Sequence, residues 1–233
     1  MQTVTTMENN VAIYENALPQ ALFDRLLHAV MMIGNERMKS NGSYSTTFWF
    51  QRGDAPSNVA EEAVSRFLGI VKPGDDCIGT EWWLGRLGNG KKLGFHYDRD
   101  LALQKQTGEI ACPLLGSVFY LNDYPSTPTV IVPQTPGHDG KSGDSSSDSV
   151  ESVANRYMVF RGDLRHGVVP DPEKLHLDPK RPDGTPERRL TLLVNFWNRK
   201  PLAPVCNEYD GSIYPSLRES FLTAASDRIS TTA

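Results

Sequence analysis

A histidine and an aspartate lie two residues apart in the segment LGFHYDRD, at residues 93–100. In an extended segment, side chains at positions i and i+2 point to the same face, so His96 and Asp98 could bind one metal ion. The alternative is that both are surface polar residues at a turn, because a histidine and an aspartate at this spacing occur by chance in many chains. A metal site therefore needs a third ligand.

The stretch MVFRGDLRHGVVP, at residues 158–170, contains such a ligand. A predicted strand runs into a Gly-Asp turn and then presents His166, immediately before Gly167. Two histidines and one carboxylate that leave coordination positions open are typical of non-haem Fe(II) oxygenases. Zn²⁺ is the chemical competitor, because imidazole and carboxylate also suit it. The other histidines, which we do not expect to bind the metal, are His28, His138 and His176.

The predicted strand RRLTLLVNFW, at residues 188–197, brings an arginine close to this site. One face of the strand is wholly apolar and the other is mixed; the mixed face carries Arg189, Thr191, Leu193, Asn195 and Trp197. We expect the apolar face to pack against helices, so that Arg189 and Thr191 point into a barrel. A buried guanidinium needs a partner, and the carboxylate of a ligand could pair with it in bidentate fashion. A salt bridge from Arg189 to a protein carboxylate is the alternative, and Arg188 is expected at the rim.

The elements that must position these residues follow a simple order. Apolar residues at helical spacing predict one helix within QALFDRLLHAVMMIG and a second within NVAEEAVSRFLGIV. Short segments rich in β-branched and aromatic residues predict strands, one before the helices and the others after them. They are VAIY near the N-terminus, then GTEWWLGRL, LGSVFYLND, TPTVIVP, NRYMVFRGD and RRLTLLVNFW. The pattern predicts an α+β fold with helices packed on one side of a largely antiparallel double sheet or barrel.

Two long polar segments interrupt the predicted strands, at residues 137–152 and 171–187. The first is low-complexity sequence rich in Ser, Asp and Gly, which predicts a mobile loop. The second is rich in Pro and links His166 to Arg189. Long loops in compact domains are often functional, so we expect this loop to act as a lid near the mouth of the site.

The composition excludes several classes of protein. The chain of 233 residues suits one domain with a sizeable core. Its net charge of −4 argues against a nucleic-acid partner, which needs a basic face. No secretory signal or membrane span is evident, so we expect no membrane partner. Three widely spaced cysteines favour a reducing compartment, and we expect a cytoplasmic protein.

Taken together, the motifs resemble the 2-oxoglutarate/Fe(II)-dependent dioxygenases, in their prolyl-hydroxylase-like branch. The resemblance covers most of residues 11–200 and rests on RLGNGKKLGFHYD, VFYLND, MVFRGDLRHGVVP and RRLTLLVNFW. It implies a double-stranded β-helix (jelly-roll, cupin-like) core with N-terminal helices packed on one sheet. The single dioxygenase domain, 1–233, would then comprise a helical part at about 1–75, the core at about 76–200 and a C-terminal extension at about 201–233.

The resemblance also implies the cofactors and the roles of the site residues. His96, Asp98 and His166 would bind Fe(II), with 2-oxoglutarate and O2 as co-substrates and ascorbate as a further candidate cofactor. The distal carboxylate of 2-oxoglutarate would bind Arg189, helped by Thr191 and by the Tyr120 hydroxyl. Arg86 stands where relatives often have a pocket tyrosine, so it would touch the co-substrate or an acidic substrate.

Several functions are compatible with the sequence. We expect hydroxylation of a small molecule, or desaturation or cyclisation by the same oxidant. A hydroxylase of a protein side chain, such as prolyl, is the main alternative, so the partner is a small-molecule substrate or a peptide. A Zn-dependent hydrolase and a non-catalytic metal-binding module of the same fold are the alternatives from other classes. Substrate identity and oligomeric state do not follow from the sequence.

Overall fold

The computed structural model describes residues 4–5, 10–33, 46–137, 146–185, 187–202 and 206–230. The strands are β1 (Val4–Thr5), β2 (Val11–Tyr14), β3 (Thr47–Gln51), β4 (Gly79–Leu87), β5 (Leu93–His96), β6 (Leu115–Tyr120), β7 (Tyr124–Val132), β8 (Asp148–Ser152), β9 (Tyr157–Arg161), β10 (Arg165–Val168), β11 (Arg189–Trp197) and β12 (Cys206–Glu208). The helices are α1 (Gln20–Met32), α2 (Val59–Val71), α3 (Leu101–Thr107) and α4 (Pro215–Ser230), with a 3-10 helix at Pro172–Leu177.

The two predicted N-terminal helices are confirmed as α1 and α2. The α2 helix begins at a strong cap, because the side chain of Asn58 accepts hydrogen bonds from the backbone N–H groups of Ala60 and Glu61. It ends at Lys72, whose backbone is left-handed, directly before Pro73. Each helix buries one apolar stripe, as its spacing predicts.

A sheet of eight strands forms the larger of the two layers, in the order β1-β2-β9-β6-β11-β4-β3-β12. All its neighbours pair in antiparallel fashion except β12 and β3, which are parallel. One face of the sheet packs against α1, α2 and α4 in the main apolar core. The apolar residues of β11, which are Leu190, Leu192, Val194 and Phe196, all lie in this core. The predicted phase of β11 is therefore confirmed, and Arg189 and Thr191 lie on its other face.

A sheet of four antiparallel strands, in the order β5-β10-β7-β8, forms the second layer. A smaller apolar cluster includes Tyr120 and Met158 from the large sheet and Ile131 from the small sheet. The molecule is thus an α+β, sheet-rich structure with helices on one face of the larger sheet, as the order of predicted elements indicated.

The two long polar segments, predicted as irregular loops, both contain regular structure. Residues 148–152 of the first segment form β8, which pairs with β7 at the edge of the small sheet. The prediction of an irregular loop is wrong there, because edge pairing supplies hydrogen bonds that polar composition alone does not indicate. Residues 138–145, including His138, lie outside the described residues.

The segment 171–187 is anchored to the small sheet. It contains the 3-10 helix and the buried carboxylate of Asp178, which accepts hydrogen bonds from the backbone N–H and the hydroxyl of Ser126 at 3.0 and 2.5 Å. The Tyr124 hydroxyl donates to the carbonyl of Glu187 at the far end of the segment. These contacts argue against a freely mobile loop.

Within the described parts of the chain, no helix is long and apolar enough to cross a membrane.

Candidate metal centre

The two histidines are brought together by strand pairing in the small sheet. His96 at the end of β5 lies directly opposite His166 on β10, and their ring centroids are 4.4 Å apart. Gly167 permits this close pairing, because a Cβ there would lie 2.9 Å from the Leu93 carbonyl oxygen. Residues opposite each other in an antiparallel pair project from the same face, so both imidazoles point the same way.

Asp98 completes the cluster from the segment that follows β5. One carboxylate oxygen lies 3.5 Å from the Nε2 atom of His96, and the other lies 3.6 Å from the Nε2 atom of His166. One ligand atom from each of the three residues can be chosen so that all lie within 4.8 Å of one another. The structure therefore brings together the three predicted ligands, which are separated by as much as seventy residues of sequence.

Backbone hydrogen bonds orient both imidazoles for metal binding. The Nδ1 atom of His96 lies 2.8 Å from the Gly94 carbonyl oxygen, and that of His166 lies 3.0 Å from the Leu164 carbonyl oxygen. A carbonyl oxygen can only accept, so Nδ1 carries a proton in both imidazoles, and the neutral form of each ring leaves the lone pair of Nε2 for a metal ion. Metal-bound histidines make this second hydrogen bond in most sites. The donor set fits a divalent cation such as Fe²⁺ or Zn²⁺.

The large sheet supports the third ligand through Asn195 on β11. The side-chain N–H of Asn195 donates to Asp98 at 3.0 Å. Burial alone would raise the pKa of the Asp98 carboxyl, but the two histidines and Asn195 lower it to about 2. The carboxyl is therefore ionised, as a metal ligand must be.

The environments of the two histidines shift their pKa values in opposite directions. Burial lowers the pKa of His166, whose side chain is 8% exposed. Burial would also lower the pKa of His96, but hydrogen bonding to Asp98 and the charge of that carboxylate raise it overall. His28 and His176 lie at exposed positions, away from this cluster.

Arg189, Thr191 and Tyr120 lie on the inner face of the large sheet. Arg189 is buried and donates from Nη2 to the Thr129 hydroxyl at 2.7 Å, and its guanidinium carbon lies 5.2 Å from the centre of the Tyr120 ring. The Tyr120 hydroxyl also hydrogen-bonds to Thr129, at 2.8 Å. Thr191 pairs with Tyr120 between β11 and β6. These predicted site residues are therefore neighbours, and Thr129 joins them.

Arg86 does not join this group. It lies opposite Leu190, whose side chain belongs to the helix-facing core, so Arg86 is on the outer face of the large sheet. It lines a separate cleft of about 300 Å³ together with Arg181 and Arg188. In β4 the odd-numbered residues, such as Gly85, face Thr191 on the inner side of the sheet, so the even-numbered Arg86 faces the other way. This position disagrees with the predicted contact of Arg86 with the co-substrate. Burial and the two neighbouring arginines lower its pKa to about 10.

A cavity of about 550 Å³ opens beside the metal ligands. Its lining includes the metal ligands His96 and Asp98 with Asn195, the acids Glu81 and Asp100, and the basic residue Arg99; the remainder is mostly apolar. Of the described residues in 171–187, none belongs to this lining. The expected lid position for that loop is therefore not observed; Arg181, Pro182 and Glu187 instead line the cleft around Arg86.

Three residues of the site were missed as functional candidates in the sequence. The alternation of β11 predicts only that Asn195 shares the mixed face of the strand with Arg189, and this shared face is the one signal in the sequence for its role. Thr129, which hydrogen-bonds to Arg189, and Glu81, which lines the cavity, belong to no recognisable motif. Their positions depend on pairing between distant strands, which the sequence alone does not specify.

No protein-family model matches the sequence, and neither does the sequence of any curated protein. Solved structures similar to this chain include a prolyl-4-hydroxylase from Pseudomonas putida, at 17% identity and a TM-score of 0.49, over 83% of this chain and 95% of that one.

Two other similar structures contain bound ligands. HygX from Streptomyces hygroscopicus, with nickel and 2-oxoglutarate bound, has 13% identity and a TM-score of 0.45, over 81% of each chain. A prolyl hydroxylase from Trichoplax adhaerens, in complex with a hypoxia inducible factor peptide fragment, has 13% identity and a TM-score of 0.47, over 82% of this chain and 84% of that one. All three TM-scores are below 0.5, so the function of this chain has to be inferred from its own residues.

Proposed function

We propose that this protein is an Fe(II)- and 2-oxoglutarate-dependent dioxygenase that hydroxylates a C–H bond of a small molecule. The observation that carries the proposal is the cluster of His96, Asp98 and His166 beside a cavity, with one ligand atom of each residue within 4.8 Å of the others. Two histidines and one carboxylate on one side of an ion leave its remaining positions for other ligands, which is the arrangement that non-haem Fe(II) oxygenases use.

The protein groups would hold and orient the reactants. When bound, Fe(II) supplies the oxidative chemistry that couples decarboxylation of 2-oxoglutarate to oxygenation of the substrate. Asn195 would fix the orientation of the Asp98 carboxylate, and the backbone carbonyls of Gly94 and Leu164 would fix the two imidazoles. The cavity would exclude water and position the target C–H bond.

The distal carboxylate of 2-oxoglutarate would bind Arg189. This residue donates to Thr129 on β7, and Thr129 lies two positions from Ile131, the residue opposite His166. Two positions along a strand correspond to roughly 6.6 Å. A five-carbon dicarboxylate can bridge a gap of this order, with its keto acid end at the metal and its distal end at the guanidinium. Thr191 and the Tyr120 hydroxyl would add hydrogen bonds.

Further parts of the proposal concern architecture and location. The two facing sheets suit a double-stranded β-helix, with one dioxygenase domain over 1–233 and the helical part at its N-terminal side. The free thiols of Cys77, Cys112 and Cys206 are consistent with a reducing compartment, and we place the protein in the cytoplasm.

The size of the cavity favours a small-molecule substrate over a peptide. Pockets that bind small molecules have volumes of roughly 300–1,000 Å³, and the cavity beside the triad has about 550 Å³. Hydroxylation of a protein side chain is the second candidate. A Zn-dependent hydrolase would have no evident use for the buried guanidinium of Arg189 on the inner face of the sheet.

The proposal is tested by metal-dependent formation of succinate. Purified protein is loaded anaerobically with Fe(II), Zn(II) or no metal, then given 2-oxoglutarate and air, and succinate is measured by mass spectrometry. We expect succinate only with Fe(II), and its loss in the variant His166→Ala. His28→Ala, a change at an exposed histidine on α1, is the matched control and should retain the activity. Equal succinate from the His166→Ala variant would contradict the proposal.

A further inference from the structure

The cavity beside the metal centre contains an acidic side chain that is not part of the ligand cluster. Glu81 lies on β4 and lines the cavity together with Asp98 and Asp100. Asp98 belongs to the ligand cluster, and Asp100 lies 3.8 Å from the guanidinium of Arg199. Within the described ranges, Glu81 has no lysine, arginine or histidine nitrogen within 4.0 Å, so it is the cavity acid without an ion pair.

A hydrogen bond from the neighbouring strand helps to orient the carboxyl of Glu81. The Thr47 hydroxyl on β3 donates to its Oε1 atom at 2.6 Å. Thr47 also lines the cavity, so the wall that carries the acid is built from two adjacent strands of the large sheet. Side chains on strands are held more precisely than side chains on loops, which suits a residue that recognises a ligand.

The surroundings of Glu81 make a cationic partner favourable. The cavity also exposes apolar side chains, among them Leu93, Leu101, Pro201 and Leu202. Burial raises the pKa of the Glu81 carboxyl to about 7, and the charge of Asp98 adds to the rise. A positive charge placed against this carboxyl would favour its ionised form and would offset the cost of its burial.

Glu81 is also close enough to the metal centre to orient a substrate there. In the pairing of β4 with β11, Glu81 lies directly opposite Asn195. The Asn195 amide in turn donates to Asp98, 3.0 Å away. Opposite residues in an antiparallel pair have Cα atoms roughly 4.5–5.5 Å apart. A group held by Glu81 would therefore lie about one side chain away from a metal ligand.

We propose that Glu81 determines specificity by binding a basic nitrogen of the substrate, in an amine or a guanidinium group. The proposal rests on the function proposed above, because it needs the cavity to be the substrate site of that reaction. It narrows the substrate class to small molecules that carry a basic nitrogen a few bonds away from the oxidised carbon.

The proposal is tested by direct binding of simple amines. The probes are putrescine, cadaverine and L-lysine amide, each compared with the derivative in which every amino group is acetylated, so that the derivative is neutral. Protein loaded with Ni(II) and 2-oxoglutarate is titrated with each probe by calorimetry. We expect at least one amine to bind 10-fold or more tightly than its neutral derivative, since hydrogen bonds between charged groups typically contribute about 10- to 100-fold.

Two variants assign that preference to Glu81. Glu81→Gln keeps the shape of the side chain and should bring the amine and its derivative to equal affinity. Glu62→Gln is the matched control, since Glu62 lies on α2, pairs with Arg25 at 2.7 Å and does not line the cavity, and this variant should keep the preference. Thermal unfolding verifies that each variant is folded. Should Glu81→Gln not fold, Thr47→Val, which removes the orienting hydrogen bond but leaves the carboxylate in place, should reduce the preference by a smaller factor.

Each outcome bears on the proposal. If no amine binds more tightly than its neutral derivative, or if the preference survives in the Glu81→Gln variant, the role of Glu81 is overturned. The Fe(II)-dependent formation of succinate by the unmodified protein reports separately on the proposed reaction. Succinate without an amine preference would reject Glu81 as the recognition residue and leave the dioxygenase proposal intact, whereas absence of succinate would reject the proposed function itself.

Discussion

Asn195 and Asp98 connect the two sheets at the metal centre: the amide of Asn195, on the large sheet, lies 3.0 Å from the carboxylate of Asp98, which follows a strand of the small sheet. The metal ligands therefore do not all depend on one layer. Two of them are set by the pairing of β5 with β10, and the third is held in place by a contact across the interior.

The contact between Asn195 and Asp98 predicts a loss of metal affinity when the amide is removed. Asn195→Ala should weaken Fe(II) binding by about 10- to 100-fold, because partners that orient a metal ligand typically contribute that much. Anaerobic metal titration measures the effect. Val194→Ala, one residue away on the opposite face of β11, should lower the stability of the core but leave Fe(II) affinity within a factor of about 3 of the unmodified protein. Equal affinities in the two variants would rule out this role of Asn195.

A stronger effect is expected at Asp98, the anionic member of the ligand cluster. Asp98→Ala should abolish succinate formation and weaken Fe(II) binding more than Asn195→Ala does, since the negative charge at the ion is lost. Asp163→Ala serves as the control, because this partly exposed aspartate pairs with Arg161 on the surface. The readouts are metal content after dialysis and succinate yield. Full turnover by the Asp98→Ala variant would show that the ligand set is wrong.

Much of this architecture could be predicted from periodicity alone. The alternation in RRLTLLVNFW correctly separated Leu190, Leu192, Val194 and Phe196 from Arg189 and Thr191, because one face had to be apolar to pack against the helices. The helices α1 and α2 were predicted for the same reason. The spacing of apolar residues along the chain is therefore sufficient to predict a helix or strand that has one buried face.

The errors have a common physical origin in long-range pairing. Arg86 was placed at the co-substrate by its position in a motif, whereas its register against Leu190 puts it on the outer face. The strand β8 was missed because a polar edge strand is stabilised by its neighbour and not by its own composition. The roles of Asn195, Thr129 and Glu81 depend on contacts with residues of other strands. A single sequence does not specify those contacts.

The phase of β11 leads to opposite expectations for two adjacent arginines. Arg189→Ala should reduce the affinity for 2-oxoglutarate by roughly two to three orders of magnitude, because loss of one partner of a buried pair costs about 3–5 kcal/mol. Arg188→Ala, which alters the cleft on the outer face, should change that affinity by a factor of about 3 or less. Iron binding should survive both changes. The measurement is titration of the iron-loaded variants with 2-oxoglutarate; a larger loss in Arg188→Ala would mean that the co-substrate lies on the other face.

The raised pKa of Glu81 predicts a dependence of stability on pH that does not involve the substrate. The ordinary pKa of a glutamate is 4.5, and burial raises that of Glu81 to about 7. Below the lower value the carboxyl is protonated in both the folded and the unfolded chain. Between the two values the unfolded chain loses its proton first, so the contribution of Glu81 to stability falls as the pH rises, and it becomes constant above about 7.

Glu81→Gln removes this titration because an amide stays neutral. The stability of the variant relative to the unmodified protein should therefore increase by about 2 kcal/mol between pH 5 and pH 8. The shift in pKa alone would give about 2.5 kcal/mol over this range, and the partial exposure of Glu81 reduces it. The acids that face Glu81, Asp98 and Asp100, are the same in both proteins, so their effects largely cancel in the difference. The measurement is urea unfolding without added metal, since a bound cation would lower the pKa of Glu81. A difference in stability that stays constant from pH 5 to pH 8 would show that Glu81 is ionised at pH 5 and that its burial does not raise the pKa.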